Sequence, residues 1–156
     1  MSQPQPLCQD MTMLIYSRSI HVYETDLMGI VHHSNYLRFC EEARVQWCKK
    51  FVDQSSEVEM TNAGFEYGDI YGLTVVETKV QHKSPLKYND TFHIEMQSQI
   101  SGATLTFQYK ITNGKNLCAL GETIHCSVNK DLKPKRLSKK LFEAVKKENK
   151  WTETWL

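Results

Sequence analysis

The longest hydrophobic pattern in the chain predicts one long helix. Apolar residues recur at spacings of three and four along residues 36–51, at Tyr36, Phe39, Cys40, Ala43, Trp47 and Phe51. Most charged residues of this stretch fall on the other side, which leaves one broad apolar face for packing against a sheet. At 3.6 residues per turn the helix has about five turns. Ser34 or Asn35, just before the first apolar position, is the expected N-cap.

Five other stretches predict β-strands because they are rich in β-branched and aromatic residues. They are residues 14–23, 73–82, 91–100, 103–112 and 117–128. Ser101-Gly102 and Asn113-Gly114 predict tight turns, so the last three strands form an antiparallel meander. Pro85 and Asn89-Asp90 separate the second strand from the third. A strand, a long helix and four more strands indicate an α+β protein in which one helix covers one face of a sheet.

The remaining segments predict a leader and a C-terminal helix. Residues 1–11 are polar and contain proline, so we expect a disordered leader followed by one domain over residues 12–132. The leader has no apolar run that could act as a signal peptide or membrane span, so we expect a cytoplasmic protein. Residues 133–156 form a basic tail, in which a surface helix with one apolar edge is predicted over residues 133–150. The apolar edge consists of Leu137, Leu141, Phe142 and Val145.

Charge and cysteine content narrow the possible functions. The formal net charge is +1, which gives no basic field of the kind that nucleic-acid-binding proteins carry. We therefore expect no nucleic-acid partner. The five cysteines are odd in number and include no C-x-x-C pair. We expect reduced thiols, with Cys40 and Cys118 packed as small apolar groups, and no metal or other cofactor.

Residues 23–44 carry the candidate chemistry and read Y-E-T-D-L-M-G-I-V-H-H-S-N-Y-L-R-F-C-E-E-A-R. Asp26 lies on a turn that contains Gly29, just before the long helix. The first amides of a helix have no partner within it and lie at the positive end of its dipole. A carboxylate beside such amides is suited to attack on a carbonyl group.

This block resembles the 4-hydroxybenzoyl-CoA thioesterase branch of the hotdog-fold superfamily, and especially the YbgC-type acyl-CoA thioesterases. The family motif is matched at Thr25, Asp26, Gly29, Val31, His33, Tyr36, Glu41, Ala43 and Arg44. The resemblance implies a five-stranded antiparallel sheet wrapped around one central helix. The chain departs from the motif at His32, where the family often has Tyr, and in the segment before Asp26, which is one residue shorter and keeps Glu24. These departures concern the acyl group that the pocket accepts.

The resemblance implies an acyl-CoA thioesterase whose catalytic residues are Asp26 and His33. Asp26 either adds to the thioester carbonyl or deprotonates a water, and the residues do not choose between these routes. The backbone amides of His33 and Ser34 are the expected oxyanion site. The candidates for substrate binding are Gly29, Tyr36 and Lys83.

Glu41 is the reserve catalytic candidate, because one branch of hotdog thioesterases uses a carboxylate on the helix. Since the turn Asp is present here, we expect Glu41 to pair with a cation such as Arg44 or one from another subunit. The phosphates of coenzyme A require cations near the site, and the available ones are Lys79, Lys83, Lys87, Lys133, Lys135 and Arg136. We expect Phe65 and Tyr67 to set the depth of the acyl pocket.

Hotdog sites typically lie between two subunits whose sheets join edge to edge, so the resemblance also implies a homodimer or homotetramer. Two alternative functions stay open. One is hydrolysis of an acyl group carried by acyl carrier protein, for which the basic C-terminal helix would offer a landing surface. The other is a non-catalytic acyl-CoA binding protein.

Overall fold

The computed structural model describes residues 14–54, 58–61, 64–67, 72–137, 139–148, 151 and 153–156. Its elements are β1 (Leu14–Ser19), α1 (Ser34–Gln54), β2 (Val58–Thr61), β3 (Gly64–Tyr67), β4 (Gly72–His82), β5 (Thr91–Ser101), β6 (Thr104–Asn113), β7 (Asn116–Val128) and α2 (Lys139–Glu148). The main sheet is antiparallel, with strand order β1-β5-β6-β7-β4. Five antiparallel strands around one long helix, with a short C-terminal helix, confirm the predicted hotdog fold.

The hydrophobic core lies between α1 and the sheet. Phe39 stacks on Phe92 of β5 with ring centroids 4.6 Å apart, and Trp47 meets the ring of Phe107 edge-on at 5.0 Å. The helix approaches β7 closely at Gly121, where an added Cβ would lie 3.2 Å from the sulfur of Cys40. The apolar stripe read from the sequence is therefore the buried face of α1 from Tyr36 to Trp47.

The predicted tight turns are present. Gly102 and Gly114 adopt positive φ angles of 63° and 58° in the β5–β6 and β6–β7 hairpins. A third left-handed residue, Asn89 with φ 64°, lies in the predicted break before β5. Glycine and asparagine are the residues that tolerate this conformation best, which is why these turns could be read from the sequence.

The first predicted strand is too long, because β1 ends at Ser19. The next residue, Ile20, exchanges backbone hydrogen bonds with the loop before β5, accepting from Asn89 at 3.0 Å and donating to Asp90 at 2.8 Å. Residues Val22–Glu24 then form a short 3₁₀ turn, because the Glu24 carboxylate accepts a hydrogen bond from the His21 amide at 2.8 Å. A side-chain contact thus ends the strand.

The start of α1 also differs from the prediction. The helix has 21 residues, about six turns, and begins at Ser34 itself, so neither Ser34 nor Asn35 is its N-cap. The Ser34 hydroxyl instead lies 2.8 Å from Nδ1 of His32. The Asn35 side chain donates to the carbonyl oxygen of Glu24 at 2.8 Å. Both side chains therefore bond back to the preceding turn.

A small antiparallel sheet of β2 and β3 forms where only a polar connection was expected. Its strands have four residues each, too short for a clear alternation of apolar and polar positions. The side chains of Phe65 and Tyr67, expected to bound the acyl pocket, lie outside the described residues.

The C-terminal helix is shorter than predicted. Residues 133–137 are extended instead, since Pro134 pairs with Val128 and the Lys135 amide donates to Ser127 at 2.8 Å. These contacts with the end of β7 hold the run outside a helix, and α2 begins only at Lys139. The predicted apolar edge is confirmed at Val145, which is 1% exposed.

The last residues of the chain lie against the outer face of the sheet. The side chain of Gln97 donates to the carbonyl oxygen of Glu153 at 2.7 Å, and that of Gln108 accepts from the Trp155 amide at 2.9 Å. Cys40, Cys48 and Cys118 are buried free thiols, as expected for Cys40 and Cys118. No helix in the described part of the chain is long and apolar enough to cross a membrane.

Candidate active site

The turn that carries Asp26 is closed by its own backbone. The Gly29 amide donates to the carbonyl of Asp26 at 3.0 Å, and the Asp26 amide donates to the carbonyl of Ile30 at 2.9 Å. Gly29 has φ 74°, and no atom lies within 4 Å of where its Cβ would be. Glycine is thus required here for its backbone angle and not for lack of space.

One oxygen of the Asp26 carboxylate is held within this turn. Oδ1 accepts a hydrogen bond from the Met28 amide at 2.8 Å, which fixes the direction of the side chain. For Oδ2, no donor is found in the part of the chain that the structure describes. The carboxylate therefore has a turn-stabilising contact on one oxygen and keeps the other available for chemistry.

His33 and Ser34, the predicted oxyanion donors, lie where the turn meets α1. The Ser34 amide donates a hydrogen bond to Nδ1 of His32 at 3.3 Å. Within the described ranges the His33 amide has no acceptor, and its carbonyl accepts from the Tyr36 amide at 3.3 Å. Of the two predicted donors, the His33 amide is therefore the better placed for an incoming oxygen.

A cavity of about 400 Å³ opens beside this turn. Its walls bring together four of the predicted site residues, namely Asp26, His33, Tyr36 and Lys83. Gly29 shapes the turn behind the cavity and is not part of its walls. The cavity is also lined by Ile30, Val31, His82, Ser84 and Pro85.

Sequence reasoning missed His82. Its ring meets the ring of Tyr36 edge-on, with centroids 4.7 Å apart, at the end of β4. Its place is set by the pairing of β4 with β7, in which His82 stands opposite Ala119. The Lys83 amide then donates to the carbonyl of Cys118 at 2.8 Å, and Lys83 also lines the cavity. The nearby Pro85 break was visible in the sequence, but the strand register was not.

Tyr36 lines the cavity from the helix and is itself 3% exposed. Burial raises the pKa of its hydroxyl above the usual value, so the group stays protonated and can donate a hydrogen bond at neutral pH. It therefore combines a packing role with a polar group at the cavity wall.

Glu41, the reserve candidate, lies at a second cavity that shares no residue with the first. This cavity has a volume of about 430 Å³ and is lined by Tyr16, Arg38, Glu41, Glu42, Val45 and Gln46. The expected pair with Arg44 is not formed, because Arg44 donates to the hydroxyl of Tyr109 at 3.2 Å. Arg44 points into the core side of the helix, whereas Glu41 is exposed.

The other predicted coenzyme A cations are more remote from the walls of the Asp26 cavity. Lys87 is closest in the fold, since its backbone pairs with Ile30 beside the turn. Lys79 is exposed on the edge strand β4, and Lys133, Lys135 and Arg136 lie in the extended run after β7. Among these described cations, Lys83 is the one that lines the cavity.

Comparison with known proteins adds independent information. A sequence profile of the thioesterase-like superfamily matches residues 20–145. A protein of Aquifex aeolicus (strain VF5) that carries an esterase name is 35% identical over 140 residues, covering 85% of this chain and 97% of that protein. The acyl-CoA thioester hydrolase YbgC of Escherichia coli O157:H7 is 24% identical over 144 residues, covering 87% of this chain and 99% of YbgC.

A solved structure shows the same fold. The 1,4-dihydroxy-2-naphthoyl-CoA thioesterase from Synechocystis aligns with a TM-score of 0.66 at 20% identity, covering 85% of this chain and 94% of that one. The region matched by the sequence profile contains the Asp26 turn, all of α1 and four of the five strands of the main sheet.

Proposed function

Because the chain belongs to the thioesterase-like superfamily and is a thioester hydrolase, we propose that it hydrolyses acyl-CoA to a free acid and coenzyme A at the Asp26 cavity. The observation that carries this proposal is the meeting of Asp26 and the His33 amide at one cavity in front of α1. A thioester carbonyl placed there would have a carboxylate near its carbon and an amide near its oxygen.

The roles of the two groups follow from their charge. The His33 amide lies at the positive end of the α1 dipole, so it would stabilise the negative charge that develops on the carbonyl oxygen. The Asp26 carboxylate either adds to the carbonyl carbon and expels the thiolate, or removes a proton from the attacking water. A pathway through Asp26 addition would give an anhydride that water then hydrolyses.

Neighbouring side chains would hold the substrate. Lys83 would bind a phosphate of coenzyme A, and Tyr36 would contact the substrate within the cavity that both residues line. His33 contributes its ring as well as its amide, and the ring lies 4.2 Å from that of His32. His33 is thus proposed to position the attacking water next to Asp26.

We also propose that two copies associate through β4. This strand is at the edge of the main sheet, and on its outer side it pairs with no other strand that the structure describes. Val75 and Val76 on it are 55% and 65% exposed, an unusual state for two adjacent apolar residues on an open sheet edge. Light scattering should show a dimer or tetramer, and a monomer at micromolar concentration would contradict this part.

The test of the function is release of free thiol from a panel of short, medium, long and aromatic acyl-CoA substrates. Asp26→Asn should lower kcat by about 10²- to 10⁴-fold, the usual contribution of a positioned base. Glu41→Gln is the matched control, because it neutralises a carboxylate at the other cavity, and it should stay within about twofold, as expected for a surface substitution.

Other outcomes have distinct meanings. Loss of activity only in Glu41→Gln would move the chemistry to the helix carboxylate and overturn the role of Asp26. Turnover of acyl groups on acyl carrier protein, but not of acyl-CoA, would show that the substrate is carried by that protein and not by coenzyme A. Binding of acyl-CoA without turnover of any substrate would indicate a binding protein.

A further inference from the structure

Two residues before Asp26 lies a carboxylate that the proposed chemistry does not use. The Glu24 side chain is buried, with 6% of the residue exposed, and both its oxygens are occupied. Arg18 donates to them from Nη1 at 2.9 Å and from Nη2 at 2.6 Å, and the His21 amide donates at 2.8 Å. Burial pushes the pKa of Glu24 up, but the hydrogen bonds from Arg18 and His21 outweigh it and leave the pKa below its usual value. Glu24 is therefore a fixed anion.

Arg18 connects this anion to the sheet and the helix. Its guanidinium lies over the rings of Phe39 and Phe92, 5.0 Å and 5.3 Å from their centroids. It also donates to the Glu42 carboxylate of α1, from Nε at 3.1 Å and from Nη2 at 3.2 Å. The bond to Glu24 raises the pKa of Arg18 further above its usual value, so the cation is permanent. Arg18 thus has contacts on three elements, β1, α1 and β5.

The backbone of Glu24 ties the catalytic turn to the first turn of α1. Its carbonyl oxygen accepts from the His32 amide at 2.9 Å and from the buried side chain of Asn35 at 2.8 Å. Residues on the two sides of Asp26 are paired as well, since Thr25 forms a bridge with Val31. The Asp26 turn is therefore anchored on one side by the Glu24 carboxylate and on the other by the start of the helix.

We propose that Arg18, Glu24 and Asn35 form a brace that sets the distance between the Asp26 carboxylate and the His33 amide, so that Glu24 and Asn35 are positioning residues for the hydrolysis. This inference rests on the function proposed above. Both groups must act on one thioester at the same moment, and a displacement of about 1 Å can lower a rate by about 10²-fold. Glu24 and Asn35 touch neither the cavity nor the substrate, so they act only through the turn.

The chain supplies a matched control for this brace. Glu42 binds the same guanidinium as Glu24 but lies on α1, without a bond to the Asp26 turn. Glu24→Gln and Glu42→Gln each remove one negative partner of Arg18. Only Glu24→Gln also alters a residue that anchors the Asp26 turn.

The experiment compares kcat, KM and melting temperature of the wild type with those of Glu24→Gln and Glu42→Gln. Glu24→Gln should lower kcat by about 10- to 100-fold with KM nearly unchanged, because the turn shifts while the cavity remains. Glu42→Gln should keep kcat within about threefold. Asn35→Ala is the second variant, in case Glu24→Gln does not fold, and should lower kcat about tenfold because it removes the helix-side bond alone.

Restoration would separate positioning from general stability. Glu24→Asp keeps a negatively charged partner for Arg18. It should therefore recover most of the kcat lost in Glu24→Gln. If folded Glu24→Gln and Asn35→Ala keep kcat within about twofold of the wild type, the brace is structural only and the inference is wrong. Equal loss of kcat in Glu42→Gln, in proportion to its fall in melting temperature, would overturn it as well.

Failure of the proposed function has a different signature. An active wild type that depends on Asp26, combined with a fully active Glu24→Gln, would overturn this inference alone. A wild type without turnover of any thioester would overturn the proposed function and this inference together.

Discussion

The start of α1 and the core side of its middle both carry polar groups, but these groups are in opposite states. At the first turn, the His33 amide and one oxygen of Asp26 have no partner within the described part of the chain. In the middle, the amides are bonded four residues back along the helix, and Arg44 is bonded to Tyr109. Polar groups left open at the start of the helix can serve a substrate, whereas those in the middle support the fold.

The polar side chains beneath the middle of α1 form a chain of hydrogen bonds. The Tyr109 hydroxyl lies 2.8 Å from the Thr123 hydroxyl, and Nε2 of His125 lies 2.9 Å from the same oxygen. Burial raises the pKa of Tyr109 well above its usual range, so this network holds a protonated phenol. Substitutions at the start of the helix should therefore change rates, and substitutions beneath its middle should change stability.

Among tests of this contrast, the largest effect is expected on removal of the His33 amide. His33→Pro lacks that N–H, and proline is tolerated at the beginning of a helix. Its kcat should be about 10²- to 10³-fold lower than that of His33→Ala, which loses the same ring but keeps the amide. Steady-state kinetics on both variants, with circular dichroism to verify folding, measures the ratio. Equal rates in the two variants would place the oxyanion site elsewhere.

The second largest effect is expected on acidification, which should weaken the network beneath the middle of α1. Burial, reinforced by the charge of Arg44, lowers the pKa of His125 to about 4 from the ordinary 6.5. The unfolded chain therefore takes up this proton at higher pH than the folded one does. The contribution of neutral His125 to the stability of the fold is complete above pH 6.5 and is lost as the pH falls toward 4.

The expected loss in free energy of unfolding over this interval is about 3 kcal/mol, at roughly 1.4 kcal/mol per pH unit. Urea unfolding at a series of pH values measures it. His125→Gln should flatten the dependence above about pH 4.5, because the Glu24 ion pair contributes only below the ordinary carboxyl pKa. A wild-type curve that is already flat would show that His125 titrates normally in the folded state.

A pair of glycines sharpens the contrast further. Gly29 and Gly114 both have positive φ, 74° and 58°, and both have open space around a would-be Cβ. Gly29→Ala and Gly114→Ala should each reduce the free energy of unfolding by about 1 to 2 kcal/mol, the strain of a left-handed alanine. Only Gly29→Ala should also lower kcat, by about tenfold, because its turn carries Asp26. Comparable rate losses in both variants would mean that strain alone is responsible.

The smallest effect is expected at Lys83. Lys83→Ala should raise KM by about three- to fivefold at low salt and leave kcat nearly unchanged, since an exposed ion pair contributes up to about 1 kcal/mol. Salt should reduce the difference. Lys130→Ala, beyond the other end of β7, is the charge-matched control and should leave KM as in the wild type. An unchanged KM in Lys83→Ala would remove this residue from the coenzyme A site.

The sequence predicted best what depends on local chemistry. The three later strands were correctly bounded to within about two residues because Gly102, Gly114 and Asn89 mark their turns. The long helix followed from its apolar stripe, and the motif placed Asp26 and His33 together at one cavity. The resemblance to a known family supplied the hotdog topology, which residue periodicity alone would not have distinguished from other α+β arrangements.

What the sequence did not predict depends on contacts between distant residues. The early end of β1 and the side-chain bond of Asn35 to the preceding turn both involve Glu24, whose burial was not visible in the chain. His82 enters the cavity through the register of β4 on β7. Glu41 was expected to pair with a cation such as Arg44 or one from another subunit, but the Arg44 guanidinium bonds to the Tyr109 hydroxyl of β6 instead.

The buried thiols have a practical consequence for kinetics. Burial raises the pKa of both Cys40 and Cys48 to about 12, and Cys118 is 1% exposed, so these sulfurs are shielded from disulfide reagents in the native protein. A chromogenic reagent that detects liberated coenzyme A should therefore meet little competition from them. The same three sulfurs become reactive when the core opens, so the reagent would report unfolded molecules under denaturing conditions, while the partly exposed Cys126 calls for a substrate-free control in the native assay.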